Sequence, residues 1–230
     1  MKKLTLLALV TAFALALPAA ADPRLTAQDL DAMQIIPPPP EPGSPRATAE
    51  LDELHAIAAK TDPAALERAT RDANDQTGAF YASVLGPAFD LTRLPKTAKL
   101  LADVGASDDA VAKPAKDFFH RDRPYIVDPK LKTCTPVKPG PAATSYPSGH
   151  STVGYSMGIV LAAVLPAKAQ AILTRARQYA ENRLVCGMHF RADIVAGEAL
   201  GTAIALKLEQ SPEFAAQMNA ARAELAAVGI

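Results

Sequence analysis

The sequence predicts an all-α fold: a single-domain bundle of roughly eight helices with one long proline-rich loop. The composition is rich in Ala and Leu, has only 5% aromatic residues and has no Trp, which favours helices over a strand-rich sandwich or barrel. Apolar residues recur at helical spacing along most of the chain, and no segment has the pattern of a β-hairpin. With 230 residues, of which 49% are hydrophobic, the chain can bury one sizeable core.

The first 21 residues have the layout of a secretory signal peptide. Lys2 and Lys3 precede an apolar run over residues 4–17, and Pro18 and three alanines follow it. A membrane anchor is the alternative, but this run is shorter than the roughly 20 residues that span a bilayer. We therefore expect cleavage after Ala21, a periplasmic or secreted protein, and no stable membrane insertion.

The charges of the chain balance, because it has 24 Lys and Arg residues and 24 Asp and Glu residues. Zero net charge gives no overall field that attracts nucleic acid or anionic lipid. We expect no nucleic-acid partner, and the cations must act locally.

The mature chain is expected to begin with an extended segment over residues 22–46, followed by a helical domain over residues 47–230. The run Pro37–Pro40 cannot be helical. A stiff strap over the surface is a better interpretation of this run than a partner-binding motif. The pattern turns helical at the start of the domain, and Asp62 and Pro63 offer an N-cap and a first-turn proline for a second helix.

Glycines, prolines and capping residues divide the domain into elements. The helix from Pro63 is expected to continue to Leu85, and Gly105 and Ser107 are expected to separate two further helices. Residues 125–147 hold five prolines and predict a long loop, and loops of more than about 15 residues are usually functional or mobile. The expected helices cover residues 47–61, 63–85, 91 or 95 to 104, 108–120, 150 or 151 to 165, 166 or 167 to 186, 189–208 and 212–230.

Lys116 and Arg123, followed by Pro124, place two cations at a helix end and in the loop after it. An Arg offers a planar fork to two phosphate oxygens, whereas a Lys supplies a movable point charge. Taken alone, such a pair is more simply a solvated surface. His120 and Arg121 lie in the same segment and are interpreted as solvated neighbours outside the site.

Ser148, Gly149 and His150 lie where an apolar helix is expected to begin. Ser148 can cap that helix, Gly149 lets backbone approach closely, and the free amides at the positive end of the helix dipole form an anion site. An ordinary helix cap would leave His150 without a role. A protonated imidazole there can act as a general acid that protonates a departing alkoxide.

Arg183, His189 and Asp193 form the most specific cluster, with five and then three residues between them. If a helix begins near His189, Asp193 lies on the same face and can fix the tautomer of the imidazole. The other ring nitrogen is then free to attack phosphorus. A surface His–Asp pair is the alternative, which the nearby Arg183 weakens. The three clusters together indicate a phosphate-handling enzyme.

The two cysteines, Cys134 and Cys186, are expected to form a disulfide, because export places them in an oxidising compartment. The bond would connect the segment after Arg123 to the segment between Arg183 and His189. In the chain-entropy model it would stabilise the fold by about 4 kcal/mol. Two buried free thiols are the alternative.

The pattern Lys-x6-Arg-Pro, Pro-Ser-Gly-His and Arg-x5-His-x3-Asp, from Lys116 to Asp193, resembles the signature of the histidine phosphatases of the type 2 phosphatidic acid phosphatase superfamily. Within it, the signal peptide, the proline run and the chain length resemble those of secreted bacterial class A nonspecific acid phosphatases. The resemblance implies an acid phosphatase, a phosphoric monoester hydrolase that acts on nucleotides, sugar phosphates and aryl phosphates without a metal or other cofactor.

The resemblance also implies a role for each site residue. His189 is the nucleophile that forms a phosphohistidine, Asp193 orients it, and His150 first protonates the leaving group and then activates water. Because the two histidines need opposite protonation states, we expect a bell-shaped pH dependence with an acidic optimum. Asn182 stands where the family usually has Ser, and its amide can replace a hydroxyl donor. The phosphate oxygens are held by Lys116, Arg123, Ser148, Gly149 and Arg183.

Two other functions fit parts of the pattern. Vanadium haloperoxidases share the anion site but are typically much larger, so vanadate, like inorganic phosphate, is expected to inhibit this protein. A non-catalytic periplasmic phosphate- or polyanion-binding protein would explain the cations but would leave His150 and the pair His189–Asp193 idle. The resemblance also implies that homo-oligomers can form.

Overall fold

The computed structural model describes residues 23–137 and 144–230, which form an all-α fold without strands. The expected signal peptide, residues 1–21, and part of the expected loop, residues 138–143, lie outside the described residues. The expected fold class is confirmed. The helices are α1 Pro45–Lys60, α2 Pro63–Ala73, α3 Ala82–Leu85, α4 Pro95–Phe119, α5 Pro124–Val127, α6 Gly149–Val164, α7 Ala169–Val185, α8 Arg191–Leu208 and α9 Pro212–Ala227, with short 3₁₀ turns at Ala32–Gln34, Ala79–Tyr81 and Pro166–Lys168.

Three helices begin with the same capping motif, a polar N-cap residue followed by a proline. The side chain of Ser44 accepts a hydrogen bond from the amide of Ala47 at 3.2 Å, and Asp62 accepts one from Ala65 at 2.7 Å. Ser211 caps α9 in the same way. A proline in the first turn has no amide to leave unpaired, so these three starts can be recognised in the sequence.

The single helix expected over residues 63–85 is wrong, because α2 ends at Ala73 and helical structure returns only with the 3₁₀ turn Ala79–Tyr81 and α3. The side chain of Asp75 accepts hydrogen bonds from the amide of Thr77 at 2.8 Å and from its hydroxyl at 2.7 Å, and these bonds form a turn. Gly78 follows with a φ of 88°, in the left-handed region that favours glycine. The Asp75–Thr77 turn therefore ends α2, although the helical spacing of apolar residues continues beyond it.

The two helices expected on either side of Gly105 and Ser107 are one continuous helix, α4. The hydroxyl of Ser107 donates to the carbonyl oxygen of Asp103 at 2.8 Å, one turn back, so it does not compete with the helical backbone. A Cβ on Gly105 would lie 3.3 Å from the methyl group of Met157 on α6. Gly105 is thus a packing position rather than a helix end.

Helix α6 lies at the centre of the fold and packs against α8, α7 and α4. Glycines on α8 let the two backbones approach closely. A Cβ on Gly197 would lie 2.5 Å from the carbonyl oxygen of Ser148, and one on Gly201 would overlap the carbonyl oxygen of Thr152. The first turn of α6 is thereby held against the first half of α8, and both regions carry expected site residues.

A disulfide joins Cys134 to Cys186, as expected. The amide of Cys134 also donates to the carbonyl oxygen of Cys186 at 3.1 Å. Gly187 follows with a φ of 65°, and a Cβ there would lie 2.6 Å from the carbonyl oxygen of Lys132. The segment after α5 is therefore fastened to the loop between α7 and α8.

Candidate active site

Lys116 connects the first cluster to the second. It lies in the last turn of α4, and its Nζ donates to the carbonyl oxygens of Thr144, at 3.2 Å, and Pro147, just before α6 begins. Burial, followed by the charge of Arg123, lowers the pKa of Lys116 to about 8. The ammonium group therefore lies next to the start of α6.

Arg123 connects the first cluster to the third. It is the N-cap residue of α5, and its Nη1 donates to the carbonyl oxygen of Met188 at 3.0 Å and lies 3.2 Å from Nε2 of His189. A guanidinium can only donate, so Nε2 accepts this bond and is unprotonated. His189 therefore directs the lone pair of Nε2 toward the cations.

Ser148 and Gly149 form the N-terminus of α6. The hydroxyl oxygen of Ser148 accepts hydrogen bonds from the amide of Ser151 at 3.3 Å and from its hydroxyl at 3.0 Å, which leaves the Ser148 hydrogen to donate. The amide of Ser148 donates to the carbonyl oxygen of Asp193 at 2.9 Å. A Cβ on Gly149 would lie 3.9 Å from Cε of Lys116. The positive end of α6 thus lies beside that side chain.

His150 lies in the first turn of α6, against the end of α2. Its Nε2 is 3.2 Å from the carbonyl oxygen of Ala73, and its ring stacks on that of Tyr179 with 5.8 Å between centroids. A carbonyl oxygen can only accept, so Nε2 carries a hydrogen and Nδ1 is the nitrogen whose protonation changes. Burial, followed by the charges of Arg183 and His189, lowers the pKa of His150 well below its usual range.

Arg183 offers buried donors near the end of α7. Arg183 is only 3% exposed, and its Nε and Nη1 have no acceptor within hydrogen-bond distance in the described part of the chain. Burial lowers the pKa of Arg183 to about 10, so the guanidinium keeps its charge at neutral pH. Buried donors are costly unless they are paired, and an anion would satisfy these two.

α8 begins at Arg191, two residues later than predicted. His189 therefore precedes the helix, and its contact with Asp193 does not come from two positions on one helix face. Nδ1 of His189, which lies before the N-cap residue Phe190, is 3.5 Å from Oδ2 of Asp193. The same oxygen accepts a hydrogen bond from the amide of Phe190 at 2.8 Å. The carboxylate therefore caps α8 and faces the imidazole at the same time.

Two residues of the site, Arg121 and Glu50, were missed in the sequence. The interpretation of Arg121 as a solvated neighbour is wrong, because its side chain is 9% exposed and Nη1 donates to Oδ1 of Asp193 at 2.6 Å. Its Nη2 donates to Glu50 of α1 at 2.6 Å, and the guanidinium lies 4.3 Å from the ring centre of Phe190. His120, at the end of α4, is exposed as expected.

The site surrounds a neutral imidazole with positive charge. The pKa of His189 is held well below its usual range by burial first, and then by Arg123, Arg183 and Lys116. Each of these cations comes from a different helix end or loop. The arrangement is suited to bind a phosphate dianion and to keep His189 unprotonated beside it.

Asn182 bonds to α2. Its amide nitrogen donates to Oδ2 of Asp72 at 2.6 Å, and the same carboxylate accepts hydrogen bonds from both terminal nitrogens of Arg175. This buried network joins α2 to α7 one residue before Arg183. The amide at position 182 therefore stabilises the helix that carries the third cation.

A cavity of about 330 Å³ lies against Lys116 and Gly149, between α4 and α6. Asp109, Lys113 and Thr152 contribute polar groups to its lining. It offers room beside the anion site for the group that a bound phosphate ester would carry.

A family model described as the PAP2 superfamily matches residues 99–214, which include all three clusters. The chain belongs to the PAP2 superfamily. The acid phosphatase of Zymomonas mobilis subsp. mobilis is 30% identical over 85% of this chain and 75% of that protein. Non-specific acid phosphatases of Providencia stuartii and Salmonella typhimurium are 27% and 26% identical, over 86% and 83% of this chain and 82% and 78% of those proteins.

A solved superfamily structure is also similar, that of a transmembrane PAP2 type phosphatidylglycerolphosphate phosphatase from Bacillus subtilis. The TM-score is 0.53, and the match covers 71% of this chain and 85% of that one. At 18% identity the likeness concerns the fold alone. Among the residues described for the present chain, no helix has the length and apolar character needed to cross a membrane.

Proposed function

We propose that this protein is an acid phosphatase that hydrolyses phosphomonoesters through a phosphohistidine at His189. The names of three similar proteins support the activity. The observation that carries the mechanism is that three cations from separate segments surround an imidazole whose Nε2 is unprotonated. Such a nitrogen can attack phosphorus while the cations neutralise the charge on the phosphate oxygens.

Phosphate binding uses donors that converge from several elements. Arg183 supplies two buried N–H groups, and the first turn of α6 supplies the hydroxyl of Ser148 and the amides at and after Gly149. Lys116 and Arg123 donate to backbone carbonyls and can turn to the stronger, charged acceptor when phosphate binds. The ester is thereby held with phosphorus in front of the lone pair of His189.

In the first step, Nε2 of His189 donates its lone pair to phosphorus, and the bond from phosphorus to the ester oxygen breaks. His150 gives the proton on its Nδ1 to the departing oxygen, so that an alcohol leaves. The phosphohistidine carries positive charge on its ring, which the carboxylate of Asp193 stabilises from the Nδ1 side.

In the second step, neutral His150 accepts a proton from water as the water oxygen attacks phosphorus. The bond between phosphorus and Nε2 breaks, and its electron pair returns to His189. Inorganic phosphate leaves, and His150 is protonated again for the next turnover.

The cycle begins with His150 protonated and His189 neutral. Because burial and neighbouring cations lower the pKa of His150 well below its usual range, its protonated form is scarce at neutral pH. A bound phosphate dianion raises the pKa of both rings again, since it compensates the cations. We therefore propose a bell-shaped pH dependence with an acidic optimum.

The proposed contacts all involve the phosphoryl group, so specificity for the leaving group is broad. Three cations supply the charge that a metal ion would otherwise supply, and the described residues hold no cluster of three His, Cys, Asp or Glu side chains suited to a metal. We include metal independence in the proposal, together with competitive inhibition by inorganic phosphate and vanadate.

We also propose that the protein is exported to the periplasm or secreted. Residues 1–21 are then a signal peptide, residues 22–46 an extended segment and residues 47–230 the catalytic domain. The disulfide supports export, because such bonds persist in oxidising compartments.

The test is hydrolysis of a chromogenic phosphomonoester at acidic pH, with and without a metal chelator. The variants are His189→Ala and, as a matched control, His120→Asn, since His120 is exposed and Asn tolerates its positive φ of 47°. We expect chelator-resistant turnover in the unchanged protein and the control, and background activity in His189→Ala. An inactive unchanged protein, chelator-sensitive turnover, or an active His189→Ala variant would contradict the proposal.

A further inference from the structure

We propose that Arg121 is a positioning residue: with Glu50, it holds Asp193 in the orientation that keeps Nε2 of His189 directed at phosphorus. The inference rests on the proposed function of His189 as nucleophile. It concerns a cation whose side chain, in the described part of the chain, bonds to Glu50 and Asp193 rather than to the imidazole, and that acts through the carboxylate behind the ring.

The carboxylate of Asp193 is fully buried and held by three donors. Oδ1 accepts from Nη1 of Arg121 at 2.6 Å, whereas Oδ2 accepts from the hydroxyl of Ser145 at 2.6 Å and the amide of Phe190 at 2.8 Å. The contact of Oδ2 with Nδ1 of His189, at 3.5 Å, is longer than any of these. The three donors, rather than the imidazole, therefore decide which way the carboxylate faces.

Arg121 is itself fixed from several sides. Nη2 donates to Glu50 at 2.6 Å, and the guanidinium lies over the ring of Phe190. Its backbone oxygen accepts a hydrogen bond from the amide of Ser145 at 2.9 Å, and the hydroxyl of the same serine bonds to Asp193. Arg121, Ser145 and Asp193 thus close a ring of hydrogen bonds behind the imidazole.

Glu50 extends this network to the start of α8. Its Oε1 accepts a hydrogen bond from the amide of Ala192 at 2.6 Å, while Oε2 accepts the one from Arg121. The residue is 6% exposed although it is charged. Two carboxylates therefore accept from free amides at the start of α8: Glu50 from Ala192 in the first turn, and Asp193 from the N-cap residue Phe190. Arg121 bonds to both carboxylates.

The buried negative charges of Glu50 and Asp193 make the orientation of Asp193 depend on Arg121. Lys116 and Arg123 attract Asp193 electrostatically, but neither bonds to it in the described residues. Neutral His189 supplies no countercharge. Without the guanidinium, two buried carboxylates would face each other, which is strongly unfavourable, and Asp193 would lose the donor that fixes Oδ1.

Loss of Arg121 should therefore slow chemistry without weakening phosphate binding. For Arg121→Met we expect kcat to fall about 10- to 100-fold, by analogy with the loss of an outer hydrogen-bonding partner of a metal-bound histidine. KM for an aryl phosphate and the inhibition constant of inorganic phosphate should change by less than about threefold, because the phosphate donors remain. Arg121→Lys should recover part of kcat, since an ammonium can bond to one carboxylate at a time.

The matched control is Arg191→Met. Arg191 joins the start of α8 to α1 through an ion pair with Glu53 and to α7 through one with Glu181, and in the described residues it forms no hydrogen bond or ion pair with Asp193. Thermal unfolding of both variants measures the structural effect of losing such a link. We expect the control to keep its kcat within about twofold, whatever its loss of stability.

Glu50→Gln is the second test variant if Arg121→Met does not fold. Its amide oxygen can still accept from Ala192, whereas the charge that anchors Arg121 is lost, and we expect a kcat reduced about 2- to 10-fold with KM unchanged. Unchanged kcat in Arg121→Met, or in Glu50→Gln where only that variant folds, would overturn the inference, as would a parallel loss of phosphate affinity. Failure of the proposed function would instead appear as an active His189→Ala variant.

Discussion

The close packing of α6 against α8 on one side and against α4 on another predicts different effects for two glycine-to-alanine substitutions, one at Gly197 of α8 and one at Gly105 of α4. In Gly197→Ala the new Cβ would lie 2.5 Å from the carbonyl oxygen of Ser148, well inside the ordinary contact distance of 3.4 Å. In Gly105→Ala it would lie 3.3 Å from the end of the flexible side chain of Met157. Both glycines are inside helices, so the substitution itself should favour each helix by about 1 kcal/mol.

The difference lies in what has to move. Gly197 faces backbone, which cannot rotate away, and overpacking of this kind costs about 1–3 kcal/mol. After the helix gain of about 1 kcal/mol is subtracted, we expect a net loss of up to about 2 kcal/mol for Gly197→Ala. The side chain of Met157 can shift at little cost, so Gly105→Ala should be neutral or up to about 1 kcal/mol more stable.

Activity should separate the two variants further. Displacement of α8 from Ser148 would stretch the bond between the Ser148 amide and the Asp193 carbonyl oxygen, now 2.9 Å, and a shift of about 1 Å at a reacting group can lower the rate about 100-fold. Urea unfolding and kcat/KM for an aryl phosphate measure both effects. Equal stability and activity in Gly197→Ala and Gly105→Ala would refute the reasoning.

Three further predictions follow from individual groups. Phosphate affinity, measured by calorimetry, should fall as the pH rises through about 8, where Lys116 loses its proton. The fall should be smaller in Lys116→Arg, and the same pH dependence in the variant and the wild-type protein would contradict this. Burial raises the pKa of Asp108, so the folded state keeps a proton that the unfolded state loses above about pH 4. The stability of Asp108→Asn relative to the wild-type protein, measured by urea unfolding, should therefore increase from pH 4.5 to pH 7, and a stability difference that does not change with pH would argue against it. Reduction of the bond between Cys134 and Cys186 should lower the free energy of unfolding by about 4 kcal/mol, and no change on adding reductant would count against the chain-entropy argument.

The sequence was sufficient to predict the three clusters because their chemistry is local. A cation at a helix end, a Ser-Gly-His helix start and a His–Asp spacing can each be recognised within about ten residues. In the structure, Lys116, Arg123 and Arg183 are close enough to His189 to act on it electrostatically. The predicted starts of α2 at Pro63 and α9 at Pro212 are the observed ones, and each has an N-cap residue followed by a proline. The predicted start of α1, at residue 47, lies two residues after its observed start at Pro45.

Other features depend on partners far away in the chain. Arg121 appeared solvated because its partners, Glu50 and Asp193, lie 71 and 72 residues away, and no periodic pattern connects them. Gly105 resembled a helix end because its contact with Met157 exists only in the packed fold. The early end of α2 is a different case, since the Asp75–Thr77 turn is visible in the sequence but competes with an apolar pattern that continues.

The most direct test of the central claim is to trap the covalent intermediate. In His150→Ala, an aryl phosphate with a good leaving group should still react, because it needs no proton, whereas release by water should be slow. Rapid quenching with labelled substrate should then give close to one phosphoryl group per protein, acid-labile, base-stable and located on His189 by peptide mapping. A label on another residue, or no label while phosphate is still released, would contradict the account.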